Sequence, residues 1–126
     1  MTRKTYNAPT VGASGPYSHV VDAGDYVYFS GQTAMNRNDV IEKPDPAKQM
    51  DIAIENLFDA MAEVGIKETE IVKVNMFITS MDIFEEINAV YAEKFTSPYP
   101  ARTCVAVKEL PLGADVEIEI VAKRGL

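Results

Sequence analysis

Tyr99-Pro100-Ala101-Arg102-Thr103-Cys104-Val105 is the turning point of the chain. Pro98 and Pro100 each fix their own φ and push Ser97 and Tyr99 towards extended backbone, so a preceding helix must end here and a strand begin. Arg102 then stands at a stiffened strand entrance. A guanidinium is a planar fork that grips a carboxylate or phosphate through two parallel hydrogen bonds, and a strand end holds it better than a mobile loop. Arg102 is therefore a candidate substrate contact, set against the plainer reading of an exposed arginine at a strand end.

Upstream, Ile71 to Thr79 alternates, with Val72, Val74, Met76 and Ile78 on one face and Ile71, Lys73, Asn75 and Phe77 on the other, as in a half-covered strand. Ser80 can cap a second helix, whose first turns carry Asp82, Glu85 and Glu86 where the helix dipole favours negative charge. Its core stripe is Phe84, Ile87, Val90, Tyr91 and Phe95, and Asn88 borders that stripe. A first helix starts at Asp45 as N-cap with Pro46 behind it, buries Met50, Ile54, Leu57, Met61 and Val64, and closes at Gly65. Nearer the N-terminus, Ser18 to Ala23 and Tyr26 to Ser30 flank Gly24-Asp25 as a hairpin, Ser30-Gly31-Gln32 ends its second strand, and Asn36 to Asp45 is a loop. Asn7 to Tyr17 is rich in breakers and loop-like.

Downstream, Arg102 to Leu110 and Asp115 to Lys123 read as a strand pair joined through Pro111-Leu112-Gly113. Arg102, Cys104 and Ala106 share one face of the first; Val116, Ile118 and Ile120 oppose Asp115, Glu117 and Glu119 in the second. If helices cover the valine and isoleucine face, Arg102, Cys104, Glu117 and Glu119 gather on the uncovered one. The order strand, strand, helix, strand, helix, strand, strand reads as an α+β mixed sheet with both helices on a single face. Ile71 and Phe77 on the outer face point to a covering subunit, and subunit interfaces are common places for small-molecule pockets.

Composition narrows the function. At 126 residues the chain fits one domain, 1–126, burying roughly two-thirds of its unfolded surface. Hydrophobic residues are 47% and charged residues 25%, ordinary globular values. No apolar run approaches the ~18 residues of a membrane span. Met1 to Tyr6 has basic residues but no apolar segment after them, so no signal peptide is expected. One cysteine admits no internal disulfide and makes the cytoplasm the default compartment. A net charge of −7 without a basic stripe argues against nucleic acid. With one histidine and no Cys/His cluster, no metal site is expected.

Gly15-Pro16-Tyr17-Ser18, Ser30-Gly31-Gln32, Asn88 with Tyr91, Tyr99 to Val105, and Leu110-Pro111-Leu112-Gly113-Ala114 with Val116-Glu117-Ile118-Glu119 together resemble the signature set of the RidA (YjgF) family of imine deaminases. The resemblance spans nearly the whole chain. It implies a chorismate-mutase-like fold, a homotrimer with pockets between subunits, no cofactor or metal, and hydrolysis of 2-imino acids to 2-keto acids and ammonia. Such imines (2-aminoacrylate/2-iminopropanoate and 2-iminobutanoate) are products of pyridoxal-phosphate enzymes, which their removal protects. Carried over by position, Arg102 would grip the substrate carboxylate and Glu117 would orient or deprotonate the attacking water. Tyr17, Ser30, Gly31, Asn88 and the Cys104 backbone would line the pocket. The chain departs from the family at the rim: the segment from Pro9 to Gly15 is longer, His19 replaces a frequent glutamine, and Asn36 to Asp45 lacks a Thr-Gly turn.

The residues also have plain readings. Glu117 and Glu119 alternate on a strand, and only the resemblance selects Glu117. Cys104 reads as a small buried hydrophobe rather than a thiolate nucleophile. The alternative function is a non-catalytic trimer holding small carboxylates or keto acids in the same pocket. A ribonuclease activity sometimes ascribed to the family conflicts with the acidic charge and the lack of a histidine pair.

Overall fold

The chain runs β1 (Lys4–Tyr6), β2 (Val20–Asp22), β3 (Tyr26–Gln32), α1 (Pro46–Glu63), β4 (Ile71–Ile78), α2 (Phe84–Lys94), β5 (Ala101–Ala106) and β6 (Val116–Lys123). This is a computed structural model that describes residues 3–13, 15–36, 38, 40, 41 and 45–126. Met1 and Thr2 of the N-terminal reading, Ser14, and Arg37, Asp39, Glu42, Lys43 and Pro44 of the expected loop lie outside the described residues.

The strands make one mixed sheet in the order β1-β2-β3-β6-β4-β5. The hairpin forms as its sequence dictates, Val20 opposite Phe29 and Asp22 opposite Val27. Its turn needs Gly24, whose φ of 99° is open to a residue without Cβ, and Asp22 Oδ1 accepts the Gly24 N–H at 2.9 Å. Strand β1, a short segment with no element assigned from the sequence, adds to β2 antiparallel.

Helix α1 follows its terminal signals. Asp45 Oδ1 accepts from Lys48 N at 3.0 Å, Pro46 opens the first turn, and Gly65 takes a φ of 68° just past the end. Met50, Ile54, Leu57 and Met61 are buried against the sheet. Ser80 caps a single 3₁₀ turn, Met81–Ile83, ahead of α2, by accepting from Asp82 N at 3.1 Å. Ile87, Tyr91 and Phe95 of α2 join the same core as Val74, Met76, Ile118 and Ile120, so both helices cover one face.

Two expectations fail in the sheet. The strands containing Arg102 and Glu117 are not a pair: β6 lies between β3 and β4, antiparallel to both, and β5 runs parallel to β4 at the sheet edge. The reason is α2. A helical crossover returns the chain in the same direction, so β5 must lie parallel to β4, whereas the loop after it carries the chain back over β4 to β6. Strand β5 also ends at Ala106 rather than Leu110. Second, a register shift between Ile71 and Lys73 breaks the alternation of β4. The irregularity turns Ile71 into the core at 6% exposure, so it is no part of an outer face.

Candidate active site

Residues opposite one another in a sheet share a face. Arg102 pairs with Val74, Cys104 with Met76, and Val74 and Met76 pair in turn with Ile120 and Ile118. Arg102 and Cys104 therefore lie on the helix-covered face. Glu117 pairs with Phe77, Glu119 with Asn75, and these continue to Val105 and Thr103. Glu117 and Glu119 therefore lie on the open face. The expectation that all four gather on one surface is wrong, because it assumed that β5 and β6 alternate in phase. The sheet separates the arginine from the glutamates, and the predicted site residues fall into two groups.

The first group surrounds a cavity of about 330 Å³ lined by Tyr17, Ser30, Gly31, Met35, Pro111, Glu117 and Glu119 among others. Strand β3 loses register between Phe29 and Gln32, which places Ser30 and Gly31 on an irregular stretch beside β6. The Glu117 side chain lies directly over Gly31: an added Cβ there would stand 2.5 Å from Oε1 and 2.7 Å from the carboxyl carbon. Burial pushes the Glu117 carboxyl above the usual carboxylate range, and the negative charge of Glu119 pushes it further in the same direction. Glu119 is itself tied to β4, accepting from Asn75 Nδ2 at 3.2 Å. Asn56 on α1 fixes the loop below the cavity, its amide donating to Thr33 O at 2.9 Å and Met35 O at 2.8 Å.

The second group lies where β5 meets α2. The Arg102 guanidinium sits 4.8 Å from the Tyr91 ring centroid and 5.9 Å from that of Phe84. These rings hold it by cation–π attraction, worth ~0.5–2 kcal/mol, and Arg102 has no carboxylate partner among the described residues. Asn88 stands on the same stripe, four residues after Phe84 and three before Tyr91. Its Oδ1 and the Tyr91 hydroxyl are buried without hydrogen-bond partners among the described residues. Cys104 packs against the core, and burial raises its thiol pKa more than the nearby Arg102 lowers it. Cys104 is half-buried rather than fully buried as expected of a free cysteine, a small hydrophobe at the margin of the core.

Sequence reasoning took Tyr91 as core only. The signal for its second role was present in the Phe84, Asn88, Tyr91 spacing, which puts two aromatic faces and an amide on one line. Met35 and Pro111 in the cavity wall carried no such signal, since both come from irregular segments.

The family model described as endoribonuclease L-PSP matches residues 5–124. The chain belongs to this family, the RidA (YjgF) family of the resemblance above. A relative from Dermatophagoides farinae, "2-iminobutanoate/2-iminopropanoate deaminase", is 44% identical, covering 85% of this chain and 84% of its own. "Protein mmf1, mitochondrial" of Schizosaccharomyces pombe is 39% identical, covering 96% of this chain and 76% of its own. Among solved structures, Escherichia coli TdcF with bound serine superposes at a TM-score of 0.86 with 34% identity, covering 97% of this chain and 99% of that one. The chorismate-mutase-like fold expected of the family is the fold of this chain.

Proposed function

We propose that this RidA-family chain hydrolyses 2-imino acids to 2-keto acids and ammonia, in pockets that two copies of the chain complete. The Glu117 carboxylate carries the reading. It is half-buried in a cavity, held over a glycine, and burial together with the Glu119 charge raises its pKa, which makes the carboxylate a stronger general base. Arg102 supplies the complementary half. An unpaired guanidinium, set on two aromatic rings at a sheet edge, is suited to a substrate carboxylate, and the buried Asn88 Oδ1 and Tyr91 hydroxyl beside it await partners.

Because the sheet separates Arg102 from Glu117, one substrate can meet both only if they come from different copies. The open face offers the apolar surface for such an assembly, with exposed Tyr26, Tyr28 and Val105 beside half-buried Phe77 and Val121. A closed homotrimer presents three equivalent pockets of this kind. Within each, Arg102 holds the carboxylate and aims the imine carbon at a water beside Glu117. Glu117 takes a proton from that water as its oxygen bonds to carbon and the C=N π pair moves to nitrogen. Glu117 returns that proton to the nitrogen, then takes the hydroxyl proton and passes it to the nitrogen as the C–N bond breaks and C=O forms, so that ammonia leaves and the carboxylate is restored. Imine and water are consumed, keto acid and ammonia are formed, and the balance needs neither cofactor nor metal.

The names of the deaminase relatives support this chemistry. The serine in the TdcF structure favours a second reading, a trimer that only binds small carboxylates. Freshly generated 2-iminobutanoate, supplied by a threonine dehydratase, separates the two: the deaminase shortens the lag before keto acid release, and a binder leaves it unchanged. The family's ribonuclease description finds little support in this chain, whose one histidine is buried and bonded through both ring nitrogens. We place the reaction in the cytoplasm on the free cysteine; three yeast relatives are named as mitochondrial, and cell fractionation decides.

A further inference from the structure

We propose that His19 is a positioning residue for the Glu117 cavity, fixing the Gly12 and Tyr17 walls from beneath; this rests on reading that cavity as part of the substrate pocket. His19 is 2% exposed and does not line the cavity. Its ring is nevertheless the centre of a network that does. Nδ1 accepts the Ala8 backbone N–H at 2.9 Å, so the proton must be on Nε2, which donates to Gly12 O at 3.0 Å. The His19 backbone N–H donates to Asn7 Oδ1 at 3.0 Å, and its carbonyl accepts from Ser30 N at 2.9 Å. Ser30 Oγ adds a bond to Ser18 O at 2.6 Å. The Tyr17 ring leans over the imidazole, with centroids 6.4 Å apart and planes tilted by 59°.

Three cavity-lining residues, Gly12, Tyr17 and Ser30, are thus each in direct contact with one buried side chain or its backbone. Residues 7–13 and 15–18 contain no helix or strand, and their backbone bonds, Val11 N–H to Ala8 O at 3.2 Å and Tyr17 N–H to Gly15 O at 2.9 Å, are turn bonds within the loop, so the His19 network adds the ties between this loop and β3. The imidazole supplies one acceptor and one donor at a fixed separation, which tie Ala8 and Gly12 together across the loop. A glutamine amide carries the same pair of functions, whereas leucine fills the space and offers neither.

His19→Gln and His19→Leu, assayed below their melting temperatures, test the role. Wall displacement weakens a substrate's hold, so His19→Leu should lower kcat/KM by ~10- to 100-fold, mainly through KM, and His19→Gln should recover most of it. A merely structural residue would move Tm and leave KM alone. Because leucine can prevent folding, the wild-type protein provides a second measurement. His19 is the chain's one histidine, so its imidazole ¹⁵N signals need no assignment. They should report the Nε2–H tautomer and shift when 2-ketobutanoate fills the pocket. An Nδ1–H tautomer, signals indifferent to saturating 2-ketobutanoate, or wild-type KM in folded His19→Leu would each overturn the role. A wild-type protein without imine hydrolysis removes the reading of the pocket, and this role with it; an active wild type beside an indifferent His19→Leu removes only the role.

Discussion

A methyl group on Gly31 would lie 2.5 Å from Oε1 of Glu117. The clash falls on the far end of a flexible side chain rather than on backbone, so the carboxylate would move and the strand would not. Gly31→Ala should therefore keep a melting temperature near wild type while losing ~10²-fold in imine hydrolysis, the scale expected of a reacting group displaced by about 1 Å. Calorimetry and steady-state kinetics on one preparation check both halves. A large loss of stability with kcat retained would show that the glycine serves the backbone and not Glu117.

Glu117 should be a site where function opposes stability. A carboxyl raised in the folded state binds more protons than its unfolded counterpart above its ordinary value of 4.5, so its contribution to stability falls as pH rises through that window. Glu117→Gln removes the buried charge and escapes that loss. We expect the variant to melt higher than wild type at pH 7, to match it at pH 4 and to hydrolyse imines poorly. Thermal melts across pH test the sign, and a lower Tm at pH 7 contradicts the assigned burial cost.

Glu119 acts on Glu117 through charge. Its carboxylate raises the Glu117 pKa, so Glu119→Gln should allow Glu117 to ionise at lower pH. The acid limb of the kcat/KM profile should move to lower pH while the plateau changes little. An unmoved limb would assign that ionisation to another group.

Cys104 is poorly suited to nucleophilic attack, since burial keeps its thiol protonated above the usual range. Cys104→Ala should retain most of the activity, because only its backbone is expected in the pocket. Stoichiometric inactivation of wild type by a thiol reagent, together with a dead alanine variant, would reverse that assignment.

How much of this was legible in sequence depends on the range of the interaction. Asp45, Pro46 and Gly65 bounded α1 because capping is local, and Gly24 fixed the hairpin for the same reason. Strand order was not local. The sequence between Tyr99 and Val105 announces a strand, but its partner is chosen by the direction in which α2 returns the chain. Alternation then placed Arg102, Cys104 and Ala106 together correctly, yet could not phase that face against β6 with β4 between them. The irregularity at Ile71 had no sequence mark, and it removed one of the two apolar residues used to argue for a covered face. Phe77 remains there, joined by Tyr28, Val105 and Val121.

That phase error leads to the sharpest test of the assembly. With Arg102 and Glu117 on opposite faces, each proposed pocket takes its arginine from one copy and its glutamate from the next. Arg102→Ala alone removes one partner of a desolvated charge pair, a cost of roughly 2 to 5 kcal/mol. That corresponds to ~30-fold to several thousand-fold in kcat/KM, and Arg102→Lys should recover little because an ammonium lacks the two-pronged fork. Glu117→Gln alone is similarly inactive. Mixed and allowed to exchange, the two variants should form, if the proposed trimer holds, closed rings in which an Arg102→Ala copy, still carrying Glu117, meets a Glu117→Gln copy, still carrying Arg102. Random assembly at equal amounts places an intact arginine and an intact glutamate at about a quarter of the interfaces. The mixture should regain about a quarter of wild-type activity, whereas a variant carrying both substitutions, mixed with either single variant, should regain none. If both residues served one pocket within a single chain, mixing would restore nothing, and light scattering would then decide whether the chain assembles at all.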